Sequence, residues 1–522
     1  MAQINVSNVT FGYEGSFDNV FEDVSFMLDT DWKLGFIGRN GKGKTTFLNL
    51  LMGKYEYRGT IKSPVRFDYF PYTLTRGQRE LSTQELVEEI GPDRELWRVV
   101  CELERLRLGA DILYRPFATL SHGEQTKVML AVLFAGENCF LLVDEPTNHL
   151  DYKARDQVKE YLNTKKGFIL VSHDRELLDA CVDHVLVLNR SSITVERGNF
   201  SSWLVNKERR DHFESMENEK HMREIKKLKA AAGRSRNWAD KNEKSKIGFD
   251  PVREHDRSMA TRAYIGAKTK KMQSRVKQLE ERTEREIQQK EGLLKDQETI
   301  AALKLLPLAH HKEVYIQAKD FSISYRMPGT QGVHCVFRDF DFTLKRGERV
   351  LLQGENGCGK SSFIKAILNA GEVVLTNGER ENVPERLLGG GLQIASGLRV
   401  SYINQDTSFL QGTLKEYVRK LQLEESRFLA ILRQLDFERT QFGKNMEELS
   451  EGQRKKVLIA SSLLSQAHLY IWDEPLNYID VFSRMQIEKV ILHYQPTMLL
   501  IEHDRTFGEK VATRRVTFKT FH

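Results

Sequence analysis

Long apolar runs are missing from this 522-residue chain: runs such as 140 to 143 and 168 to 171, and even the eight residues from Val128 to Ala135, fall far below the roughly 18 residues a membrane-spanning helix needs. The opening Met-Ala-Gln-Ile-Asn-Val-Ser has neither a basic n-region nor an apolar h-region, so no secretory signal is visible and a cytoplasmic protein with no membrane partner is expected. Cysteine is scarce. Cys101, Cys139, Cys181, Cys335 and Cys358 are odd in number and never in C-x-x-C spacing, which argues against a disulfide framework and a structural zinc site. A large excess of one charge is also absent, with 79 Lys plus Arg against 73 Asp plus Glu; at 40% hydrophobic, the chain reads as globular rather than disordered or fibrous. About 150 residues per domain suggests roughly three units.

What is present is a repeat. Gly38-Arg-Asn-Gly-Lys-Gly-Lys44-Thr45 and Gly354-Glu-Asn-Gly-Cys-Gly-Lys360-Ser361 both satisfy G-x-x-x-x-G-K-[ST] after a short strand-like apolar run. Three more motifs recur in the same order: Leu120-Ser-His-Gly-Glu-Gln125 with Leu449-Ser-Glu-Gly-Gln453, Leu142-Val-Asp-Glu-Pro146 with Ile471-Trp-Asp-Glu-Pro475, and Val171-Ser-His-Asp174 with Ile501-Glu-His-Asp504. One phosphate-loop pattern arises by accident in such a chain on the order of a few times in a hundred, but two with three partners each in register do not. The later motifs are offset by 329 or 330 residues and the first by 316, so the second copy holds an insertion before Gln405, placed in a loop around Gly389-Gly390-Gly391. Apolar β-rich runs alternating with helical stretches imply an α/β fold with a largely parallel sheet.

A glycine-rich turn between strand and helix lets backbone N–H groups approach phosphate oxygens, and the helix N-terminus adds positive partial charge. The expected ATP cradle is Gly38, Asn40, Gly41, Gly43, Lys44, Thr45 and Thr46 in the first copy. In the second it is Gly354, Asn356, Gly357, Gly359, Lys360, Ser361 and Ser362. Thr45 with Asp144, and Ser361 with Asp473, are the expected Mg2+ holders. Glu145 and Glu474 are placed to orient the attacking water, and His173 and His503 to contact the γ-phosphate.

The two copies resemble ABC-type ATPase domains, over about residues 1 to 203 and 309 to 522, and the Leu-Ser-x-Gly segment carries that resemblance. It implies a head-to-tail pairing of the two domains within one monomer. Lys44, Glu145 and His173 would then share one ATP with Ser450, Gly452 and Gln453, while Lys360, Glu474 and His503 share another with Ser121, Gly123 and Gln125. The resemblance further implies adenine stacking on Tyr13 and Tyr325, and Gln405 as the Q-loop glutamine and a Mg2+ contact. The first copy reads Tyr69-Phe-Pro-Tyr72 there and lacks that glutamine; the second reads Leu476-Asn-Tyr-Ile-Asp480 where the first has Thr147-Asn-His-Leu-Asp151. Two unequal sites are expected.

Residues 204 to 308 carry apolar positions at helical spacing among many charges, interrupted near Gly248-Phe249-Asp250-Pro251, which predicts an antiparallel pair of long helices. From Arg223 to Lys277 there are 17 Lys plus Arg against 6 Asp plus Glu, while the rest of the chain is net acidic. A basic tip near 240 to 262 predicts attraction to a phosphate backbone. Trp238, Lys241, Lys244, Lys246, Phe249, Arg253, His255, Arg257, Met259, Arg262 and Tyr264 are the candidate contacts to RNA or to a drug site.

Twin domains of this type joined by a basic helical hairpin resemble the ABC-F translation factors, and the narrower likeness is to the antibiotic-resistance branch of the Lsa and Vga type. The fold so implied is α/β, two ABC-type P-loop ATPase domains joined by a long antiparallel α-helical hairpin linker. The resemblance implies an ATPase whose partners are the 70S ribosome, through large-subunit rRNA at the E site, and P-site tRNA. The implied outcome is relief from lincosamides, pleuromutilins and streptogramin A. Two other readings compete: a housekeeping ABC-F factor with no drug role, and the tandem ATPase of a separate membrane transporter.

Overall fold

The structure, a computed structural model, describes residues 2–14, 19–148, 150–189, 192–244, 277–278, 282, 303–326, 333–370, 373–377 and 386–518. Contacts group the chain into two compact units, Met1–Trp203 with Ala301–His522, and Leu204–Ile300. Among the described residues no helix is long and apolar enough to cross a membrane.

The first half carries strands β1 (Gln3–Phe11), β2 (Phe21–Asp29), β3 (Lys33–Ile37), β4 (Arg58–Lys62), β5 (Arg66–Phe70), β6 (Cys139–Asp144), β7 (Phe168–Val171), β8 (His184–Leu188) and β9 (Ile193–Arg197). Antiparallel β2-β1-β4 forms one sheet; β5-β6-β7-β3-β8-β9 forms a second, parallel except for the β8/β9 pair. The sequence shows why they differ. In β1, Ile4 and Val6 are buried while Gln3 and Asn5 are exposed, the alternation of a sheet with one covered face. Strand β7, Phe-Ile-Leu-Val, is buried throughout, as a central parallel strand covered on both faces must be.

The second half repeats this plan with β10 (Val314–Arg326), β11 (Val333–Lys345), β12 (Arg349–Gln353), β13 (Val373–Leu375), β14 (Arg386–Ile394), β15 (Leu398–Ile403), β16 (Leu469–Asp473), β17 (Met498–Ile501) and β18 (Arg514–Thr517). Its sheets are β11-β10-β14 and an all-parallel β13-β15-β16-β17-β12-β18. Tyr470 and Trp472 enter one core and Leu469 and Ile471 another, so successive β16 residues feed opposite faces. The first of these cores already includes Leu303 and Leu305.

Gly389, Gly390 and Gly391 do not form the expected loop. They lie inside β14, paired with β10, where Gly390 takes φ +77° and a Cβ would stand 2.1 Å from the Asp320 carbonyl oxygen. Gly59 in β4 sits the same way against Asn8. Gly59 follows Lys44 by 15 positions and Gly390 follows Lys360 by 30, so the added residues precede β14 and include edge strand β13. A bulge requiring left-handed backbone explains the glycine that composition alone read as a loop.

The long helix Phe200–Lys244 opens on Phe200 and Trp203, both buried, and at about 1.5 Å per residue its 45 residues span about 67 Å. Trp238, Lys241 and Lys244 lie on it. Lys246, Phe249, Arg253, His255, Arg257, Met259, Arg262 and Tyr264, with the expected turn, lie outside the described residues.

Candidate nucleotide sites

Each phosphate loop joins a central strand, β3 or β12, to the helix Lys44–Leu51 or Lys360–Asn369. Gly43 and Gly359 cap these helices with φ of 105° and 99°, and a Cβ on either would lie 2.6 Å from a valine methyl, so only glycine fits. The buried Lys44 ammonium donates to the carbonyls of Gly38 at 2.8 Å and Arg39 at 3.2 Å and to Asn40 Oδ1 at 3.2 Å. Lys360 donates to the carbonyls of Gly354 and Glu355 at 2.8 and 2.9 Å. The acceptors in these hydrogen bonds are neutral for both cations, and burial holds Lys44 below the usual lysine range against the pull of Asp480, Glu145 and Asp144. Tyr13 meets the Thr46 hydroxyl at 2.6 Å and Tyr325 donates to Ser362 at 2.9 Å, which sets both rings beside their loops.

The acidic pairs arrive on the neighbouring strands. Asp144 ends β6 and Asp473 ends β16, next to β7 and β17, whose ends lead to His173 and His503; carboxyl ends of adjacent parallel strands are where such sheets bind ligands. Glu145 and Glu474 both take left-handed backbone, φ 49° and 47°, and their N–H groups donate to Val171 and Ile501 carbonyls at 2.8 and 2.9 Å. Non-glycine residues rarely sit there, and such strain gathers at functional positions.

Beyond this shared frame the sites diverge. Glu474 Oε2 accepts from Gln405 at 2.9 Å and Asn477 at 2.7 Å, and Oε1 stands 3.3 Å from His503 Nε2. Burial opposes ionisation there, but His503, Lys455 and Asn477 outweigh it and hold Glu474 below the usual carboxylate range. Glu145 has His173 Nε2 at 3.3 Å, and burial, then Asp144, pushes its carboxyl well up. Burial, reinforced by Lys44 and Arg484, keeps His173 far below its usual value. Asp144 Oδ2 accepts from Thr45 at 3.2 Å and Tyr69 at 3.0 Å. Asp473 is raised to about 6, chiefly by burial and then by Glu474, and its Oδ1 has no hydrogen-bond partner among the described residues. A buried, unpartnered carboxylate oxygen beside a hydroxyl and a phosphate loop suits a hard divalent cation.

The two halves meet across these loops. A cavity of about 410 Å³ is lined by Asn356, Lys360, Ser361, Gln405, Glu474 and His503 together with His122 and Arg155 of the first half. His122 opens the helix His122–Phe134, whose cap is Ser121; that places the Ser121-His122-Gly123 signature against the second loop. Around the first loop, Asn40 Nδ2 donates to the Tyr478 carbonyl at 2.7 Å, and a Cβ on Gly452 would stand 2.7 Å from that same oxygen. Tyr152 donates to the Glu502 carbonyl at 2.9 Å and Arg155 to that of His503 at 3.3 Å.

One sequence expectation needs correcting. Ser450 caps its helix in a reciprocal box with Gln453, and Ser121 does so with Glu124, so Glu124 and not Gln125 is the counterpart of Gln453. Gln125 turns its amide back to the carbonyls of Phe117 and Leu120, both at 3.1 Å. Sequence reasoning also passed over Tyr69, His122, Arg155 and Asn477. Tyr69, His122 and Asn477 lie inside the motif segments matched between the two copies, and the S-x-x-E spacing of a capping box is the signal that fixes the register.

The ABC transporter family model matches residues 21–148 and 337–477. The chain is 25% identical over 524 residues to the ribosome protection protein VmlR of Bacillus subtilis, covering 98% of this chain and 86% of that protein. It is also 25% identical to the ATP-binding protein Uup of Buchnera aphidicola, over 98% of this chain and 80% of that one. Among solved structures, the archaeal ribosome recycling factor aABCE1, in complex with the stalk protein aP1, aligns with a TM-score of 0.59 at 18% identity, over 98% of this chain and 88% of that one. At such identity the likeness is one of fold.

Proposed function

Because this chain belongs to the ABC transporter family, as an ABC-F protein whose two ATPase domains bind and hydrolyse ATP, we propose that it is a ribosome protection factor. With ATP closed between its halves it binds the 70S ribosome in the cytoplasm and inserts the 204–308 linker into the E site, against P-site tRNA and towards the peptidyl transferase centre. There it displaces lincosamide, pleuromutilin and streptogramin A drugs. The observation that supports this reading is the likeness to VmlR along 98% of the chain.

In each site the lysine and loop glycines hold the triphosphate, and Glu145 or Glu474 orients water towards the γ-phosphate beside His173 or His503. Thr45 with Asp144, and Ser361 with Asp473 and Gln405, would hold Mg2+, which neutralises phosphate charge when bound. The Gln405 amide nitrogen is engaged by Glu474, which leaves its carbonyl oxygen for a cation. ATP binding favours the paired halves, only that form fits the ribosome, and hydrolysis removes the preference, so chemistry times release.

The double variant Glu145→Gln, Glu474→Gln should bind ATP, turn it over slowly and co-sediment with ribosomes. Rapid turnover with no ribosome retention would overturn the assignment. A housekeeping role is the second reading: Uup, equally identical to this chain, is named only as an ATP-binding protein. Drug susceptibility of a sensitive host expressing the chain separates the two: unchanged inhibitory concentrations leave the housekeeping reading.

A further inference from the structure

Strand β5 carries Tyr69 and the chain just beyond it carries Tyr72, near the place where the second half keeps Gln405. Phe70 pairs with Val143, one residue before Asp144, just as Ile403 pairs with Trp472, one residue before Asp473. Tyr69 is therefore the counterpart of Tyr402, and Tyr72 that of Gln405. Tyr72 does not point at the acidic pair: its hydroxyl donates to Asp68 Oδ2 at 3.1 Å and accepts from Arg94 at 2.9 Å. Tyr69 takes up the acidic end instead, donating to Asp144 Oδ2 at 3.0 Å, whereas the Tyr402 hydroxyl donates to Asn404 at 3.2 Å. The Lys54 ammonium lies 5.5 Å over the Tyr69 ring and helps pin it.

We propose that Tyr69 is a positioning residue for the metal side of the first site, doing through Asp144 what Gln405 does directly in the second. Resting on the reading of Asp144 as a metal-side carboxylate, the inference follows from which oxygen is engaged. Tyr69 and Thr45 both donate to Oδ2, so the carboxylate is fixed with Oδ1 presented to a cation. A glutamine contributes its own oxygen to the cation. A phenol bonded to the carboxylate contributes orientation, and should make the first site depend more steeply on divalent cation once that bond is cut.

The test uses the full chain with one site silenced, Lys360→Ala to read the first site and Lys44→Ala to read the second. Binding of a fluorescent N-methylanthraniloyl ATP is titrated with Mg2+ and, separately, in EDTA. Tyr69→Phe should raise the half-saturating Mg2+ at the first site about tenfold, the lower end of the effect of losing a partner of a metal-side ligand. It should leave binding in EDTA and the melting temperature unchanged, and Tyr402→Phe should leave the second site unaltered. An unchanged Mg2+ requirement in Tyr69→Phe, or an equal loss in EDTA, overturns the inference. Asp144→Asn is the control: if it too leaves the Mg2+ requirement alone, the reading of Asp144 fails first.

Discussion

The two phosphate loops share a backbone and differ in what they touch. In the first, Arg39 forms a 2.7 Å ion pair with Asp436 of the second half, Asn40 bonds the Tyr478 carbonyl, and Lys42 stands 3.8 Å from Glu438. In the second loop the same positions hold Glu355, Asn356 and Cys358, and the counterpart of Asp436 is Arg107, which pairs with Glu160 of its own half at 2.7 Å. The first loop is tied to the opposite half by charge. The second faces a cavity and carries the better furnished acid pair, with three donors around Glu474. The cradle is common to both copies and the partners around it differ, which is the asymmetry that the following variants test.

The largest effect should separate the two glutamates. Replacing Glu474 with Gln removes a carboxylate that Gln405, Asn477 and His503 all orient, and should lower steady-state phosphate release by about a hundredfold. Glu145→Gln removes one that His173 Nε2 approaches at 3.3 Å, without counterparts of the Gln405 and Asn477 bonds among the described residues, and should lower it less than about tenfold. Equal losses in a phosphate-release assay would dissolve the division of labour.

The backbone offers a comparison that is expected to stay symmetric. Gly59 and Gly390 both hold left-handed bulges, φ 104° and 77°, with a carbonyl oxygen 2.3 and 2.1 Å from where a Cβ would sit. Alanine at either should cost about 1 to 3 kcal/mol in urea unfolding, because strained backbone and a backbone clash add. Gly391→Ala, next in the same strand, meets nothing within 4 Å and should be nearly silent. A silent Gly390→Ala would mean that the second-half bulge is not a rigid copy of the first.

These particulars show what the chain's letters disclosed. Paired motifs at steady offsets were legible because phosphate loops, capped helices and strand-end acids are local patterns, each read within a few residues. The parallel sheets followed from apolar runs such as Phe168–Val171 that leave no polar face. The three glycines of β14 were misread because composition reports that glycine is needed, not that a neighbouring strand's carbonyl needs the space. Tyr69 was invisible for another reason: its role depends on where Tyr72 goes, and that is decided by Arg94, 22 positions along the chain. The signature register was recoverable, since Ser121 and Glu124 already spell a capping box.

The smallest expected effect bears most directly on the tie between the halves. Arg39 and Asp436 are 21% and 17% exposed, so their attraction is only partly screened, whereas Lys42 and Glu438, at 36% and 49% and 3.8 Å apart, lie largely in water. A double-mutant cycle of Arg39→Ala with Asp436→Ala, read by ATP affinity in the Lys360→Ala background, should give a coupling of about 1 kcal/mol, or roughly fivefold. The same cycle on Lys42 and Glu438 should give less than about 0.5 kcal/mol and vanish in high salt. The order of the two matters more than their size. If the exposed pair couples as strongly as the sheltered one, long-range charge rather than contact joins the halves.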